Sequence, residues 1–511
     1  MKILLKILIS ILLCTEIYAQ EKVKYKADEL KFRRINKEPV RKLISNVIFT
    51  QGETQISCDS ANFYNRKNLL EAFGNIEIIN SDSSVITANS LFYDGNNKIA
   101  KLRGNVIYKK NDDIIKTDIL NYLVDSKKGE FFDGGQLEDG VNTLKSKFGY
   151  FFGDNDISIF HDNVEFIGDD YLLKTDSMKY NSKIKEATTY SFTEIFSDDS
   201  VYVEASGGKF KQSKSESSLK SSKIESDDYI LKAKFIDFDN DESLYEAYDD
   251  VSLFIKDTEY TVSGETGIYD KKNNFIKIYD NALLKKSIEN DTFYLSSDTI
   301  LAIENNKEIK TLLAYNTVKF YRDDFLGKSD SILFNIEDSI LFMYNDPIIW
   351  NGNNQITSDT INFIINEDRI DNMNLIRNAF IISKDTAENF NQIKGRNMVA
   401  DFDDNNQIKS IDVKGNGETI YFALEEETYN TIGLNYIICS DLLLNFIDND
   451  IDNIIFYQNP KAKLIPPHEI KEKDLFIEKF NWRENERPQI SDIVHYFRKK
   501  IYLRNEFQNN N

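Results

Sequence analysis

The chain has 511 residues, of which 41% are hydrophobic and 13% aromatic, and its 63 Lys and Arg against 84 Asp and Glu give a net charge of −21. This apolar content excludes wholesale disorder and is enough for one or more large cores, while only 6 Pro and 21 Gly exclude collagen-like and Pro-rich architectures. The acidity argues against a nucleic-acid partner, because phosphate contacts require clustered Lys or Arg.

The chain begins with the features of a cleaved secretory signal. Lys2 and Lys6 make the start of the chain basic, residues 7–13 form a short apolar run, and Ala19 is a small residue after which cleavage can occur. We therefore predict a signal peptide over 1–19 and a soluble, exported mature chain. Cleavage leaves Cys58 and Cys439, which we interpret as buried small residues rather than a disulfide, because neighbouring repeats have Ser, Thr or Ala there.

A motif with a period of about 29 residues organises most of the chain. Its centre is a short polar residue, here called the anchor, at Asp59, Asn89, Asp118, Asp176, Asp330 and Asp359. The position four after the anchor is aromatic and the position two after it is usually apolar, so both side chains lie on one face of a strand. The last five of these repeats form an apolar stripe, here called the stripe: Leu91, Tyr93, Leu120, Tyr122, Met178, Tyr180, Ile332, Phe334, Ile361 and Phe363.

A second strand precedes each anchor by about 13 residues, as at 74–78, 104–108, 162–166 and 280–284. Gly or Asp followed by Asn stands within these strands, which predicts a kink or corner. The anchor is expected to mark a bulge, where a short acidic side chain bonds nearby backbone N–H groups. Period-two alternation, with almost no helical periodicity before 460, predicts an all-β fold of antiparallel strands stacked along one axis. The alternative, a parallel β-helix with a stacked Asn ladder, fits less well because its coils are usually shorter.

Four segments are expected along the chain: the signal peptide 1–19, a first β region 20–205, a second β region 206–460 and a basic tail 461–511. The Ser- and Lys-rich stretch 209–223 predicts a linker or a long loop. The tail has 11 basic and 8 acidic residues, a net of +3, and Ser491 is placed to cap a helix over 492–503 with Ile493 and Phe497 on one face. This tail either covers the terminal strand edge or docks to another component.

The strand pairs GNIEI (74–78) with ITANSLFY (86–93), and GNV (104–106) with IKTDILNY (115–122), resemble the OstA-like family. That family includes the periplasmic lipopolysaccharide-transport protein and the N-terminal periplasmic domain of the outer-membrane lipopolysaccharide-assembly protein. The resemblance is strongest over 40–190. It implies an elongated, twisted antiparallel β-jellyroll, open and V-shaped in section, whose groove holds the acyl chains of lipid A and whose copies stack end to end.

The resemblance therefore implies a periplasmic lipid-binding and transfer protein, and not an enzyme, that shields lipopolysaccharide acyl chains and conveys them towards the outer membrane. The ten residues of the stripe become candidates for the lipid groove, with ordinary core packing as the alternative for each. The implied partners are lipopolysaccharide, through its lipid A, and other lipopolysaccharide-transport components joined by end-to-end strand stacking. A second copy of the chain is a further possible partner, because an unpaired terminal strand invites edge pairing.

No catalytic residue, cofactor or metal site is expected. His161, His468 and His495 stand outside any Cys/His ligand spacing or nucleophile motif. Single anchors about 29 residues apart do not make a cation-binding cluster, so a structural role is favoured for them. The alternative function is a secreted structural or adhesive β-repeat protein, or a β-helical polysaccharide-active enzyme.

Overall fold

A computed structural model describes residues 22–198, 200–211, 216–239, 242–288, 291–305, 308–323, 325–366, 369–403, 407–425, 428–447 and 450–494. The predicted signal peptide lies outside these ranges. Of the predicted tail helix, 490–494 are helical and the part from 495 onward lies outside the described residues. No helix within these ranges has the length and apolar character needed to cross a membrane.

The structure divides into two compact units, unit 1 ending at Lys220 and unit 2 beginning at Ser221. The boundary at 205 and 206 stays a prediction. The stretch expected to be a linker or loop instead contributes to two strands, Gly207–Lys211 and Glu216–Glu225, and the second includes the division point.

Unit 1 is built from strands β1 (Lys24–Lys26), β2 (Glu29–Ile35), β3 (Glu38–Gln51), β4 (Thr54–Tyr64), β5 (Leu69–Ile79), β6 (Val85–Asp94), β7 (Ile99–Lys110), β8 (Asp113–Leu123), β9 (Lys128–Phe131), β10 (Gly135–Glu138), β11 (Thr143–Ser146), β12 (Phe148–Phe152), β13 (Ile157–Ile167), β14 (Tyr171–Asn181), β15 (Glu186–Thr189), β16 (Thr193–Ser197), β17 (Tyr202–Ala205) and β18 (Gly207–Lys211). Strand β19 (Glu216–Glu225) follows.

Unit 2 contains β20 (Tyr229–Asp239), β21 (Leu244–Ile255), β22 (Tyr260–Asp270), β23 (Phe275–Ile288), β24 (Asp291–Asn305), β25 (Glu308–Arg322), β26 (Phe325–Asn335), β27 (Ile340–Tyr344), β28 (Ile348–Asn351), β29 (Asn354–Thr357), β30 (Thr360–Asn366), β31 (Arg369–Lys384), β32 (Phe390–Phe402), β33 (Ile408–Leu424), β34 (Thr431–Ile447), β35 (Asp450–Tyr457) and β36 (Lys461–Ile465). Three short 3-10 helices follow at Pro467–Glu469, Glu472–Asp474 and Glu484–Glu486.

The long strands form antiparallel meanders in which a strand pairs with its neighbours along the chain, as β5 does with β4 and β6. Where the chain is divided into short strands, non-consecutive strands pair, as β9 does with β12 and β15 with β18. This confirms the predicted all-β, antiparallel class. Each long strand bends near its middle, so its two halves lie in two half-sheets. In β5, 69–73 belongs to what we call sheet A and 76–79 to sheet B. In unit 1, hairpin turns at 65–68, 95–98, 124–127, 153–156 and 182–185 close sheet A, and turns at 52–53, 80–84, 111–112 and 139–142 close sheet B.

The bend is a corner of two residues with positive φ. Gly74 and Asn75 have φ of 74° and 44°, and they oppose a single residue, because the register of β5 and β6 jumps from Phe73 to Ile76. The residue left opposite is the anchor Asn89, so the predicted bulge at the anchor is confirmed. The same conformation recurs at Ser45 and Asn46, Gly104 and Asn105, Asp162 and Asn163, and Asp280 and Asn281. Asn tolerates positive φ, which accounts for the Asn column without a β-helical ladder.

The anchor side chain holds the corner chiefly through the corner Asn. Asn75 Nδ2 donates to Asp59 Oδ2 over 2.9 Å. The expected bond from a backbone N–H is present at Asp118, whose Oδ1 accepts from the N–H of Asn105 over 3.2 Å. A Cβ atom on Gly74 would lie 2.3 Å from Asp59 Oδ2, so a larger residue here would displace the anchor carboxylate as well as adopt an unfavourable φ. These contacts give the anchors a structural role.

A hydrophobic cluster to which both half-sheets contribute fills the interior of unit 1 between Val23 and Ala187. Leu70 and Ala72 of sheet A and Ile76 and Ile78 of sheet B are all buried in it. Side chains on the other face of the same strand, such as Glu77, are exposed. The two half-sheets therefore face each other across a shared apolar layer, joined along one side by the corners.

The tail of the chain packs back onto unit 2. We call residues 466–494 the C-terminal strap. The strap contacts the outer face of sheet B, which points away from the interior between the two half-sheets. On this face Phe380 and Ile382 pack with Ile477 of the strap. In β31 both faces are consequently buried, since Ala379, Phe380, Ile381 and Ile382 are at most 6% exposed. The described part of the tail therefore does two things in unit 2: Lys461–Ile465 pairs with β34 along a strand edge, and the strap that follows covers this outer face.

Candidate functional site

The six stripe residues of unit 1 lie together in the shared interior. Each is at most 3% exposed, and all belong to one cluster of buried residues in this unit: Leu91, Tyr93, Leu120, Tyr122, Met178 and Tyr180. They lie on β6, β8 and β14 of sheet A, with β7 between the first two and β9, β12 and β13 between the last two. The six residues thus share one apolar interior, and their role as a lipid groove stays a prediction.

Aromatic rings fill the space between the half-sheets. Tyr108 of sheet B packs against Phe151 of sheet A with ring centroids 4.4 Å apart, and Tyr122 lies 6.3 Å from the same ring. Gly129 makes room for this arrangement, since a Cβ there would lie 2.2 Å from the Phe151 ring. The interior thus consists of ring faces and aliphatic side chains, a surface that is chemically suited to hydrocarbon.

Tyrosine hydroxyls of the stripe reach across the interior to the far half-sheet. Tyr93 donates to Gln51 Oε1 over 2.7 Å, and Asn80 Nδ2 donates to the Tyr122 hydroxyl over 3.3 Å. The Tyr180 hydroxyl donates to Asp139, which is 2% exposed. In each case a sheet A residue meets a residue at a sheet B hairpin end about 42 positions earlier in the chain.

The hairpin turns add further polar contacts between the same two edges. Lys127 Nζ lies 3.6 Å from Asp82 Oδ2, and Lys110 Nζ donates to Asp156 Oδ1 over 3.0 Å. We call the whole set the polar seam, formed by Gln51, Asn80, Asp82, Lys110, Asp113, Asp139 and Asn142 from sheet B and by Tyr93, Gly95, Tyr122, Lys127, Gly153, Asp156, Tyr180, Ser182 and Lys185 from sheet A. It runs along the side of unit 1 opposite the corners.

The most buried ion pair of the seam joins Asp139 and Lys185, whose Nζ lies 2.8 Å from Asp139 Oδ2. Burial of the Asp139 carboxyl opposes its ionisation, but bonds from Lys185 and Tyr180 outweigh this and hold its pKa below the ordinary range. The same carboxylate, together with burial, raises the pKa of Tyr180. Both groups are therefore fixed in one protonation state at neutral pH, with Asp139 as the acceptor.

The four stripe residues of unit 2 are less uniform. Ile332, Ile361 and Phe363 are at most 4% exposed, whereas Phe334 is half-buried. Phe363 of sheet A contacts Phe325 of sheet B, with ring centroids 5.8 Å apart. The seam position of this repeat is thus occupied by an aromatic pair rather than by a tyrosine and a polar turn residue.

Sequence reasoning did not identify the binding surface for the C-terminal strap. One row of register partners crosses sheet B of unit 2 on its outer face: Tyr294, Tyr321, Leu326, Trp350, Gln355, Ile382, Gln392, Ile420 and Tyr436. Trp350 and Gln392 in this row are fully buried. This surface could have been recognised from the apolar residues at outward positions of these strands. The outward positions of unit 1 strands have exposed residues such as Gln55 and Glu77 instead.

Two buried glutamines in this row bind the backbone of the strap. Gln392 donates to Leu475 O and accepts from Ile477 N, each over 2.8 Å. Gln355 donates to Asn481 O over 2.7 Å and accepts from Arg483 N over 2.6 Å. Each side-chain amide thus replaces the donor and acceptor that a neighbouring strand would supply, so the strap needs no strand pairing of its own.

An ion-pair network fixes the strap near its middle. The Arg483 guanidinium makes two 2.8 Å bonds to Asp346 and two to Glu486, and Lys328 Nζ lies 2.8 Å from Glu486. Hydrogen bonds from Arg483 and Lys328 hold the pKa of Glu486 at about 2. Farther along, Ile493 and Val494 pack with Leu283, which places the predicted inner residue of the tail helix, Ile493, against unit 2.

Reactive groups are sparse in the part of the chain that the structure describes. Cys58 and Cys439 are both free and buried, as expected, and burial raises the pKa of the Cys58 thiol to about 12 and that of Cys439 in the same direction. His161 lies 6.0 Å from the Tyr150 ring and His468 is exposed, while His495 lies outside the described residues. Within the described ranges no group of His, Cys, Asp and Glu is placed to hold a metal ion.

Residues 20–176, which include most of the seam and of the unit 1 stripe, match the family described as OstA-like protein. No curated protein matches the chain. Among solved structures, LptH from Pseudomonas aeruginosa, described as the LptA homologous periplasmic component of the conserved lipopolysaccharide transport device, aligns at 12% identity over 23% of this chain and 82% of LptH, with a TM-score of 0.20. A TM-score this low does not establish a shared overall fold, so the assignment depends on the family match. The similarity to OstA-like proteins extends over residues 20–176.

Proposed function

We propose that the chain is a periplasmic lipid-binding and transfer protein that shields the acyl chains of lipopolysaccharide between sheets A and B and conveys them towards the outer membrane. The observation that carries the proposal is the apolar interior of unit 1, to which the stripe contributes three pairs of side chains: Leu91 with Tyr93, Leu120 with Tyr122, and Met178 with Tyr180. The OstA-like match over the same residues supports lipopolysaccharide as the ligand, through what the family resemblance implies.

The energetics favour hydrocarbon as the occupant. Each methylene moved from water into an apolar interior gains about 0.8 kcal/mol, so an acyl chain of a dozen carbons can offset a considerable loss of side-chain packing. The stripe side chains are buried against each other, and they must therefore move apart to admit a chain. A layer joined covalently only at the corners can widen, whereas a closed barrel with paired strands all around cannot.

Two adjacent aromatic residues of β6 offer a matched test of this function. Tyr93 points into the interior and is 1% exposed, whereas Phe92 points outward and is 38% exposed. We would place the photoreactive amino acid p-benzoylphenylalanine at either position, irradiate the mature protein with lipopolysaccharide, and detect the adduct by its mass. Adducts at Tyr93 and few at Phe92 are expected.

Equal labelling at the two positions, or none at Tyr93 in a protein that keeps its β circular dichroism, would contradict internal binding. It would favour the alternative of a structural or adhesive repeat protein.

The first strands of unit 1 offer a surface for association. Strand β2 pairs with β3 on one side, and its exposed Phe32 leaves an apolar side chain at this terminal strand. We propose that other transport components or a second copy stack on this strand, which deletion of 29–35 tests by loss of partner capture.

A further inference from the structure

The polar seam of unit 1 is the side of the half-sheet pair that is able to part. On the opposite side the chain itself passes from sheet A to sheet B at every corner, as at Gly74 and Asn75. Across the seam the contacts are hydrogen bonds and ion pairs, such as those of Gln51 with Tyr93 and of Lys127 with Asp82. Water can replace each polar partner once the edges separate, so parting these contacts leaves no buried group without a hydrogen bond.

The seam residues are unusual for positions so deeply buried. Asn80, Asp139 and Asn142 are 6%, 2% and 2% exposed, and they occupy inward positions at the ends of strands whose other inward side chains are apolar. Buried polar groups cost free energy unless they are hydrogen-bonded, and Asn80, Asp139 and Asn142 find their partners on the facing half-sheet or in their own turn. They also recur: successive sheet B turns at 52–53, 80–84, 111–112 and 139–142 each contribute a contact to a sheet A turn.

An amphiphile with several acyl chains and a large polar head group makes opposite demands on the two sides of this seam. Its chains gain by entering the interior, but its head group cannot be buried there without losing its hydrogen bonds to water. Head and chains are covalently joined, so the molecule must straddle an edge of the layer. The protein backbone crosses the corner side at every long strand and blocks it, so the ligand can straddle the layer only at the seam.

We propose that the polar seam is a lateral gate for the ligand, whose contacts open where the acyl chains of a lipopolysaccharide cross from the interior to the outside and close again on either side of it. This inference depends on the proposed function and adds the route of access to it. Each contact is separate from the next by about one repeat, so opening is local rather than along the whole unit.

The gate can be locked by covalent cross-linking. In a Cys58→Ser, Cys439→Ser background, the pair Asp82→Cys with Lys127→Cys places thiols on the two edges of the seam. The matched control, Lys98→Cys with Asp125→Cys, replaces an ion pair of 2.8 Å that joins neighbouring turns of sheet A and does not cross the seam. Each protein is treated with a short bismaleimide, and the binding of a fluorescent lipopolysaccharide is followed by anisotropy.

Locking the seam is expected to slow lipopolysaccharide loading at least about tenfold, whereas the control cross-link leaves it unchanged. The converse variant, Tyr122→Phe, removes the bond to Asn80 and should speed loading several-fold, while Tyr64→Phe, which removes a bond to Glu71 within sheet A, should not. Unchanged loading in the locked protein overturns the gate but leaves the proposed function intact. Loading by none of these proteins, including the unmodified chain, overturns both.

Discussion

Removing the Gln392 side chain is the sharpest test of how the C-terminal strap is held. Gln392 is fully buried and makes two 2.8 Å bonds to the strap backbone, one to Leu475 O and one from Ile477 N. In Gln392→Ala both backbone groups lose their partner while the surrounding apolar residues still exclude water. An unsatisfied buried polar group costs about 1–3 kcal/mol, so the strap should lose about 3 kcal/mol of local stability.

The loss is best measured by hydrogen exchange, because the strap can open without unfolding of the rest of unit 2. About 3 kcal/mol corresponds to an opening equilibrium that is roughly a hundredfold more favourable, since each 1.4 kcal/mol is a factor of ten. Strap peptides around residue 477 should therefore exchange about a hundred times faster at neutral pH, and peptides from unit 1 serve as the internal reference. Gln407→Ala is the matched control, because Gln407 is exposed.

Strap exchange that stays within a few-fold of the unmodified protein in Gln392→Ala would refute the reasoning. It would mean that the apolar contacts of Ile477 hold the strap without help from the glutamine amides. An equal acceleration in Gln407→Ala would also count against it, because a general effect on unit 2 would then be responsible.

Three further predictions concern the corner, the strap ions and the thiols. Gly74→Ala should destabilise unit 1 by about 2–4 kcal/mol in denaturant unfolding, and Gly140→Ala, which also has positive φ but open space, by only about 1 kcal/mol. The pKa of Glu486 is lowered to about 2, so the stability that its ion pairs give the strap is fully present above about pH 4.5 and is lost as the pH falls towards 2. Cleavage of the strap by pepsin should therefore rise over this pH range, and in Glu486→Gln the cleavage should depend less on pH. Cys58 should resist maleimide at pH 7.5 in the folded chain, whereas a cysteine placed at exposed Gln55 should react at once.

The repeat made the local fold predictable. Alternating apolar positions such as Leu70, Ala72, Ile76 and Ile78 are all buried on one face, and the anchor does mark a bulge. What the sequence did not reveal is that the corner Asn is the main partner of the anchor, as in the bond from Asn75 to Asp59. That contact joins two strands across a register that only the three-dimensional pairing defines.

The stripe could be located but its surroundings could not. Tyr93, Tyr122 and Tyr180 share one sequence position, and this position reveals an inward aromatic side chain. Their hydroxyl partners lie about 42 residues earlier in the chain, one and a half repeats away. A single-sequence periodicity relates equivalent positions one repeat apart and does not show contacts between the two half-sheets, so the seam was not foreseen.

The strap and the seam suggest that the two units differ in how readily sheet B moves. In unit 2 the strap crosses the outer face of sheet B from the row partner Tyr436 to Leu283, tying many strands to one segment. In unit 1 the equivalent face presents exposed residues such as Gln55 and Glu77 to solvent. Parting a seam requires sheet B strands to shift against sheet A, and a segment bonded across those strands resists the shift. Amides at the sheet B turns of unit 1 should therefore exchange faster than those of unit 2, and removal of the strap residues from 466 onward should abolish the difference; equal exchange in the intact chain would show that the strap does not restrain the sheet.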